Sequence, residues 1–321
     1  DVRDRIDHIA AAIDQPSVDG VNSYFVSLAA RKGVTVAVSG TGGDEIFAGY
    51  PWFISMVRAG YRDRRFPLRT AVKNMLAPIA RQEIIDPFVG EKFGGFIDRI
   101  RGLSGFVPRF ARLYQIFGAH GAGEILSSEF RKEARTGREP AFDLAPADEL
   151  SDEPPIERVS ALCLRGYTQN QLLRDIDAVS MAHSLEVRVP FLDPKVIDIA
   201  LSLPSSAKLS DVSSVSDPFN ATYSETGAKK ILIDIGRGML PENMDNQQKR
   251  GFGMPFDLWL MGPLRDVLED SLSTASVKNR GFFNDKITNA LKKDFFAGRT
   301  GWSRPWLLMM TELWCREVLD K

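Results

Sequence analysis

The stretch Val34-Thr-Val-Ala-Val-Ser-Gly-Thr-Gly-Gly-Asp-Glu45 constrains the fold of this chain more than any other. Residues 34–38 are dominated by β-branched side chains and read as a buried strand. Gly40, Gly42 and Gly43 make a dense turn, and Asp44-Glu45-Ile46-Phe47 suit a helix start. Glycines let a chain bend sharply and let a ligand approach backbone N–H groups. A helix N-terminus adds partial positive charge, so the turn favours an anion. Asp44 and Glu45 would repel a bare phosphate at that place. A divalent cation between the acids and a polyphosphate removes the conflict, and hard oxygen ligands suit Mg²⁺. The turn taken alone is equally compatible with an ordinary strand-to-helix connection carrying an acidic N-cap.

Neighbouring sequence is more specific. Ser39-Gly-Thr-Gly-Gly-Asp-Glu-Ile-Phe-Ala-Gly-Tyr50 resembles the second nucleotide-site motif of the asparagine synthetase family. Leu173-Arg-Asp-Ile-Asp-Ala-Val-Ser-Met-Ala-His-Ser-Leu-Glu-Val-Arg-Val-Pro-Phe-Leu-Asp193 resembles its substrate-side segment, and Lys249-Arg-Gly-Phe-Gly-Met-Pro-Phe256 its lysine loop. The three stand in the family's order, and the resemblance is thinnest over residues 58–160. The bacterial asparagine synthetase-like amidotransferases found with polysaccharide biosynthesis are nearest in character.

The resemblance implies an α/β fold, strongly α-dominated. It would be the C-terminal part of an adenine-nucleotide alpha-hydrolase-like (ATP pyrophosphatase) domain with few strands. It also implies an enzyme that activates a carboxylate with ATP, releases pyrophosphate and passes an acyl-adenylate to an amine. In asparagine synthetase the acid is aspartate, and the amine is ammonia from a glutaminase domain. Neither that domain nor a Ser-Gly-Gly-x-Asp-Ser pyrophosphate loop is found here. The expectation is one synthetase domain over residues 1–321, incomplete at its N-terminus and without turnover by itself, with a surface excursion at 121–155. A ligase for an amine other than ammonia, and a non-catalytic nucleotide-binding remnant, are the alternatives.

Carried over residue by residue, the resemblance makes Ser39, Gly40, Gly42 and Gly43 nucleotide contacts and Asp44 the second Mg²⁺ carboxylate. With its partner carboxylate expected in the absent loop, weak metal binding or none follows. Glu45 is read as a helix-dipole partner, since adjacent helical residues point apart. Thr41 departs from the family, which places a glutamate there. A threonine hydroxyl is no base near neutral pH, so another acid than aspartate becomes plausible. Glu186 is a candidate for the missing carboxylate, against a structural pairing with Arg188. Lys249 would neutralise charge growing on the phosphates, within a loop bent by Gly251 and Gly253 and shielded by Phe252 and Phe256. Arg174, Asp177 and Ser180, with His183 and Ser184, are candidates to line the acid pocket; polar packing under the glycine turn is the alternative.

Composition limits the remaining classes. Lys+Arg number 41 against Asp+Glu 42, which gives no electrostatic footprint for nucleic acid. No apolar run reaches bilayer-spanning length and no signal peptide opens the sequence, so a cytoplasmic protein without membrane partners is expected. Cys163 and Cys315 read as buried reduced thiols. The oligomeric state is open, a homo-oligomer included. The rest reads as helices: 4–13, 22–32, 44–59 broken at Gly49-Tyr50-Pro51, 67–79, 88–101, 107–118, a long one over 156–181, and several after Asp193-Pro194. Trp306, Leu307, Met310, Leu313 and Trp314 form an apolar stripe read as core.

Overall fold

The structure is a computed structural model that describes residues 1–66, 106–133, 152–209, 215–248, 251 and 253–321. The helices expected at 67–79 and 88–101, the excursion beyond residue 133, and Lys249 and Phe252 lie outside the described residues.

Helix α1 (Ile6–Ala12) and helix α2 (Gly20–Ala30) lead to strand β1 (Val36–Val38). The glycine turn then feeds a single helical turn, α3 (Gly43–Ile46). The chain breaks at the expected Gly49-Tyr50-Pro51, with Ala48 at φ 56°, before α4 (Pro51–Arg65) starts on its N1 proline. A helical rod runs over residues 155–181, as its periodicity predicts, but in three parts. They are α5 (Pro155–Cys163), a π-helical stretch (Leu164–Leu172) and α6 (Leu173–Met181).

Strand β2 (Glu186–Arg188) follows and pairs in parallel with β1, Ala37 opposite Val187. The partner of β1 thus lies inside this chain, in the second motif. After β2 the chain makes a 3-10 turn over Pro190–Leu192. A capped helix follows it: the Asp193 carboxylate accepts from the Lys195 N–H at 2.9 Å, with Pro194 at N1.

Two apolar clusters carry most of the packing among the described residues. The larger unites α1, α2, α6 and the C-terminal helices around Trp306, which is fully buried. The expected stripe is there, with Trp306, Met310 and Leu313 buried and Leu307 and Trp314 half-buried. The second cluster packs α4, the helix Phe106–Tyr114 and α5 around Phe53, Phe110 and Ile156. The start of the expected excursion is tied down: helix Ala119–Ile125 ends in an antiparallel bridge of Leu126 to Phe283. Cys163 and Cys315 are buried and free.

The reading of residues 34–38 as a buried strand is corrected. Val36 is 39% exposed and Val38 73% exposed, because a two-stranded sheet leaves one face uncovered. Among the described residues no helix is long and apolar enough to cross a membrane.

Candidate functional site

A cavity of about 710 Å³ opens beside β2 and at the C-terminal end of β1. Ligands in open α/β sheets collect at such ends. The glycine turn contributes Ser39, Gly40, Thr41, Gly42, Asp44 and Glu45, and the second motif contributes Ile176, Leu185 and Val187. Gly251 and Gly253 of the lysine loop complete the wall. Three segments far apart in sequence therefore meet on one cavity.

The glycines divide into two kinds. Gly40 has open space where a Cβ would stand, so nothing in the protein blocks a ligand from its backbone. Gly42 has φ +96°, and a Cβ there would come within 2.5 Å of Leu192 Cδ2. The Phe191 ring lies 3.3 Å from the Cβ position of Gly43, which is buried and outside the cavity wall. Gly42 and Gly43 thus seat the turn on Phe191 and Leu192 and hold the first motif on the second. Ser39 donates its N–H to the Arg188 carbonyl at 2.8 Å, and its hydroxyl meets the Thr41 hydroxyl at 2.7 Å.

Asp44 is paired with Lys229, Oδ1 to Nζ at 2.8 Å. Lys229 was invisible to motif reading. It sits at φ 56°, and its N–H donates to the Phe47 carbonyl at 3.0 Å, so the turn after α3 holds it in place. A Cβ at Gly49 would lie 1.9 Å from Asp44 Oδ1 and 2.5 Å from Lys229 Cε. Only glycine leaves room for this pair.

Glu45 stands in the first turn of α3, as a helix-dipole partner would, and it does more. Its side chain is buried and accepts from the Tyr50 hydroxyl at 2.7 Å, and both residues line the cavity. With α3 only one turn long, Asp44 and Glu45 both reach the same cavity. Burial pushes the Glu45 carboxyl up, and the Tyr50 bond partly offsets it. Asp19 is a parallel case: it lines the cavity at the start of α2 and accepts from Tyr167 at 3.0 Å and Gln171 at 2.7 Å. Neither Asp19 nor Tyr167 stands in a motif.

The remaining candidates lie elsewhere. Arg174 and Asp177 are exposed, and Arg174 is bonded to Asp14. Ser180 is buried and donates to the Asp177 carbonyl at 3.2 Å. His183 packs on the Tyr24 ring at 4.4 Å and the His8 ring at 6.0 Å. Glu186 is exposed and bonded to Arg188 at 2.7 Å. None of Arg174, Asp177, Ser180, His183, Ser184 and Glu186 is in the cavity wall.

Among the described residues no group of three or more His, Cys, Asp or Glu could hold a metal. Of the three carboxylates at the wall, Asp44 in the glycine turn fits a magnesium ion that arrives on a polyphosphate and keeps its waters. It does not fit an all-protein cage.

Strand, glycine turn, helical turn and cavity belong to an α/β chain dominated by helices. The comparisons narrow this: the profile described as asparagine synthase matches residues 1–316, and the chain belongs to that family. Asparagine synthetase [glutamine-hydrolyzing] 1 of Bacillus subtilis is 25% identical over 320 residues, covering 96% of this chain and 45% of that protein. A putative asparagine synthetase [glutamine-hydrolyzing] of Mycobacterium bovis is 26% identical over 94% of this chain and 42% of its own length. A protein named amidase chyE from Penicillium rubens is 24% identical over 88% of this chain and 42% of its own length. The chain thus spans less than half the length of these relatives. No solved structure matches it significantly.

Proposed function

We propose that this chain is the acyl-activating part of an ATP-dependent amide-forming ligase. The observation that carries the reading is the convergence of the glycine turn, the second motif and the lysine loop on one cavity. Such a ligase joins a carboxylate to the α-phosphate, expels pyrophosphate, and lets an amine displace AMP from the acyl carbon.

Each residue has a task in that sequence. Gly40 gives the nucleotide access to the backbone, and Ser39 presents its hydroxyl to the ribose or α-phosphate. Asp44 would hold magnesium on the polyphosphate, where the ion spreads the charge of the leaving pyrophosphate. Lys229, freed from Asp44 as that happens, and Lys249 supply fixed positive charge, which can lower a barrier by several kcal/mol. Thr41 stands where the acid would lie. Aspartate, the acid implied by the relatives' names, heads the candidates, and a related acid follows from the threonine. Arg174, Asp177, Ser180 and Glu186 are retained only as more distant candidates for acid recognition. A cytoplasmic setting, with ammonia from a glutaminase domain or another amine as acceptor, belongs to the same proposal.

The test is acid-dependent pyrophosphate release by the full-length protein with ATP and Mg²⁺, over a panel that starts with aspartate. Release is expected, and Asp44→Asn should cut it about a hundredfold, about 2.7 kcal/mol of barrier. ATP binding without release for any acid would instead mark a nucleotide-binding remnant.

A further inference from the structure

A second cavity of about 620 Å³ lies beside the first. Its walls come from residues 113–116, 299–301 and 303–304, and it shares Asp19 and Tyr167 with the first cavity. One carboxylate and one phenol therefore form the partition between two chambers.

Asp19 Oδ2 accepts both of the residue's hydrogen bonds, from Tyr167 and Gln171, and Oδ1 accepts none among the described residues. Both donors are neutral. A half-buried carboxylate is ordinarily paired with a cation, and without one its ionised form is costly. Behind it lies Asp175, fully buried, with one oxygen taken by Ser17 at 2.5 Å and the other unpartnered. The inner end of the second chamber thus suits a positive group. Its wall also carries Arg299, whose guanidinium is paired with Asp294 at 2.6 Å, and Arg304, which donates to the Ile116 carbonyl at 3.1 Å. Tyr167 and Gln171 both stand on the π-helical stretch, a geometry concentrated at functional sites.

The half-open hollow has room for an acceptor larger than ammonia. A water-sized molecule such as ammonia fills about 30 Å³, a small fraction of this chamber. Its volume is that of a site for a larger organic ligand.

Resting on the adenylation reading above, we propose that the second cavity holds the acyl acceptor, a primary amine larger than ammonia. Its ammonium end is held by Asp19, and an acidic group at its far end faces Arg299 and Arg304. The amine meets the acyl carbon past Tyr167. As the carbon–nitrogen bond forms, the carbon–oxygen bond to AMP breaks and AMP keeps that electron pair. The ammonium first gives one proton to Asp19, which frees the nitrogen lone pair, and the second proton, surplus once the carbon–nitrogen bond has formed, leaves on the phosphate of AMP. Burial raises the Asp19 carboxyl, which makes it a better proton acceptor than an exposed aspartate.

The test is calorimetric binding of 4-aminobutyrate, butylamine and butyrate to the full-length protein without nucleotide, so that it is independent of adenylation. 4-Aminobutyrate should bind at least tenfold more tightly than either one-ended analogue. Asp19→Asn, which keeps an acceptor for Tyr167 and Gln171, should weaken it at least tenfold. Gly301 lines only the second cavity and has open space at its Cβ position. Gly301→Phe should therefore abolish 4-aminobutyrate binding by filling the chamber. No binding of 4-aminobutyrate, equal binding of the three probes, or binding indifferent to both substitutions overturns the proposal. If amine binding behaves as expected but no acid supports pyrophosphate release, the adenylation reading has failed and the amine site stands.

Discussion

Around Trp306, large apolar side chains from α1, α2, α6 and the C-terminal helices close on one another, and Trp306, Met309 and Met310 are all at 0% exposure. Around Val38, a strand of similar apolar content lies 73% exposed beside a cavity walled by Asp19, Asp44 and Glu45. The first region buries apolar area and leaves few choices of shape. The second keeps carboxyls half-desolvated and backbone N–H groups open. The contrast assigns stability to the helical end and chemistry to the strand end.

Truncation at the core should show the largest effect. Trp306→Ala should cost about 3–5 kcal/mol in denaturant unfolding, and a cost near zero would break the division. Asp175 lies at the seam between the regions, where burial raises its carboxyl to about 7. That is above the value near 3.9 of an unfolded chain. The folded state therefore keeps a proton that the unfolded chain has lost between about pH 4 and 7. Its stabilisation is complete below about pH 4 and is lost as pH rises through about 7. Asp175→Asn removes the titration. At pH 8 the variant should exceed the parent by up to about 4 kcal/mol, at 1.36 kcal/mol per pK unit, and the gap should close near pH 4. A gap independent of pH would refute the buried carboxyl as its cause.

Tyr50→Phe strips the hydroxyl donor from buried Glu45 and should cost about 1–3 kcal/mol, measurable in the same unfolding assay. Val38→Thr, on the uncovered face, should stay within about 0.5 kcal/mol. A core-sized loss there would mean that this face is covered in solution, and the comparison would need redrawing.

Much of the strand end was legible because its signals are local. The β-branched run, the glycine turn, the break at Pro51 and the Asp193-Pro194 cap each depend on a few adjacent residues. Strand β2 was legible in principle, since Leu185-Glu186-Val187-Arg188-Val189 alternates with the period of a strand, but three residues make a weak signal against a helix ending beside them. Lys229, Asp19 and Tyr167 were not legible. Their importance comes from contacts across 185, 152 and 148 residues of sequence separation, to Asp44, Gln171 and Asp19 in turn, shown by the positions of those partners. The exposure of Val36 and Val38 was misread because propensity reports the strand and not what covers it.

The π-helical stretch from Leu164 to Leu172 has a consequence for the whole rod. Wider winding turns the chain less per residue, so nine residues fall behind an α-helix by roughly half a turn. It is a phase shifter: it sets the angle at which α6 presents Asp175 inward and Arg174 outward. Deleting one residue there would rotate everything downstream, and the disturbance would be felt at β2 and the floor of the glycine turn before it was felt locally.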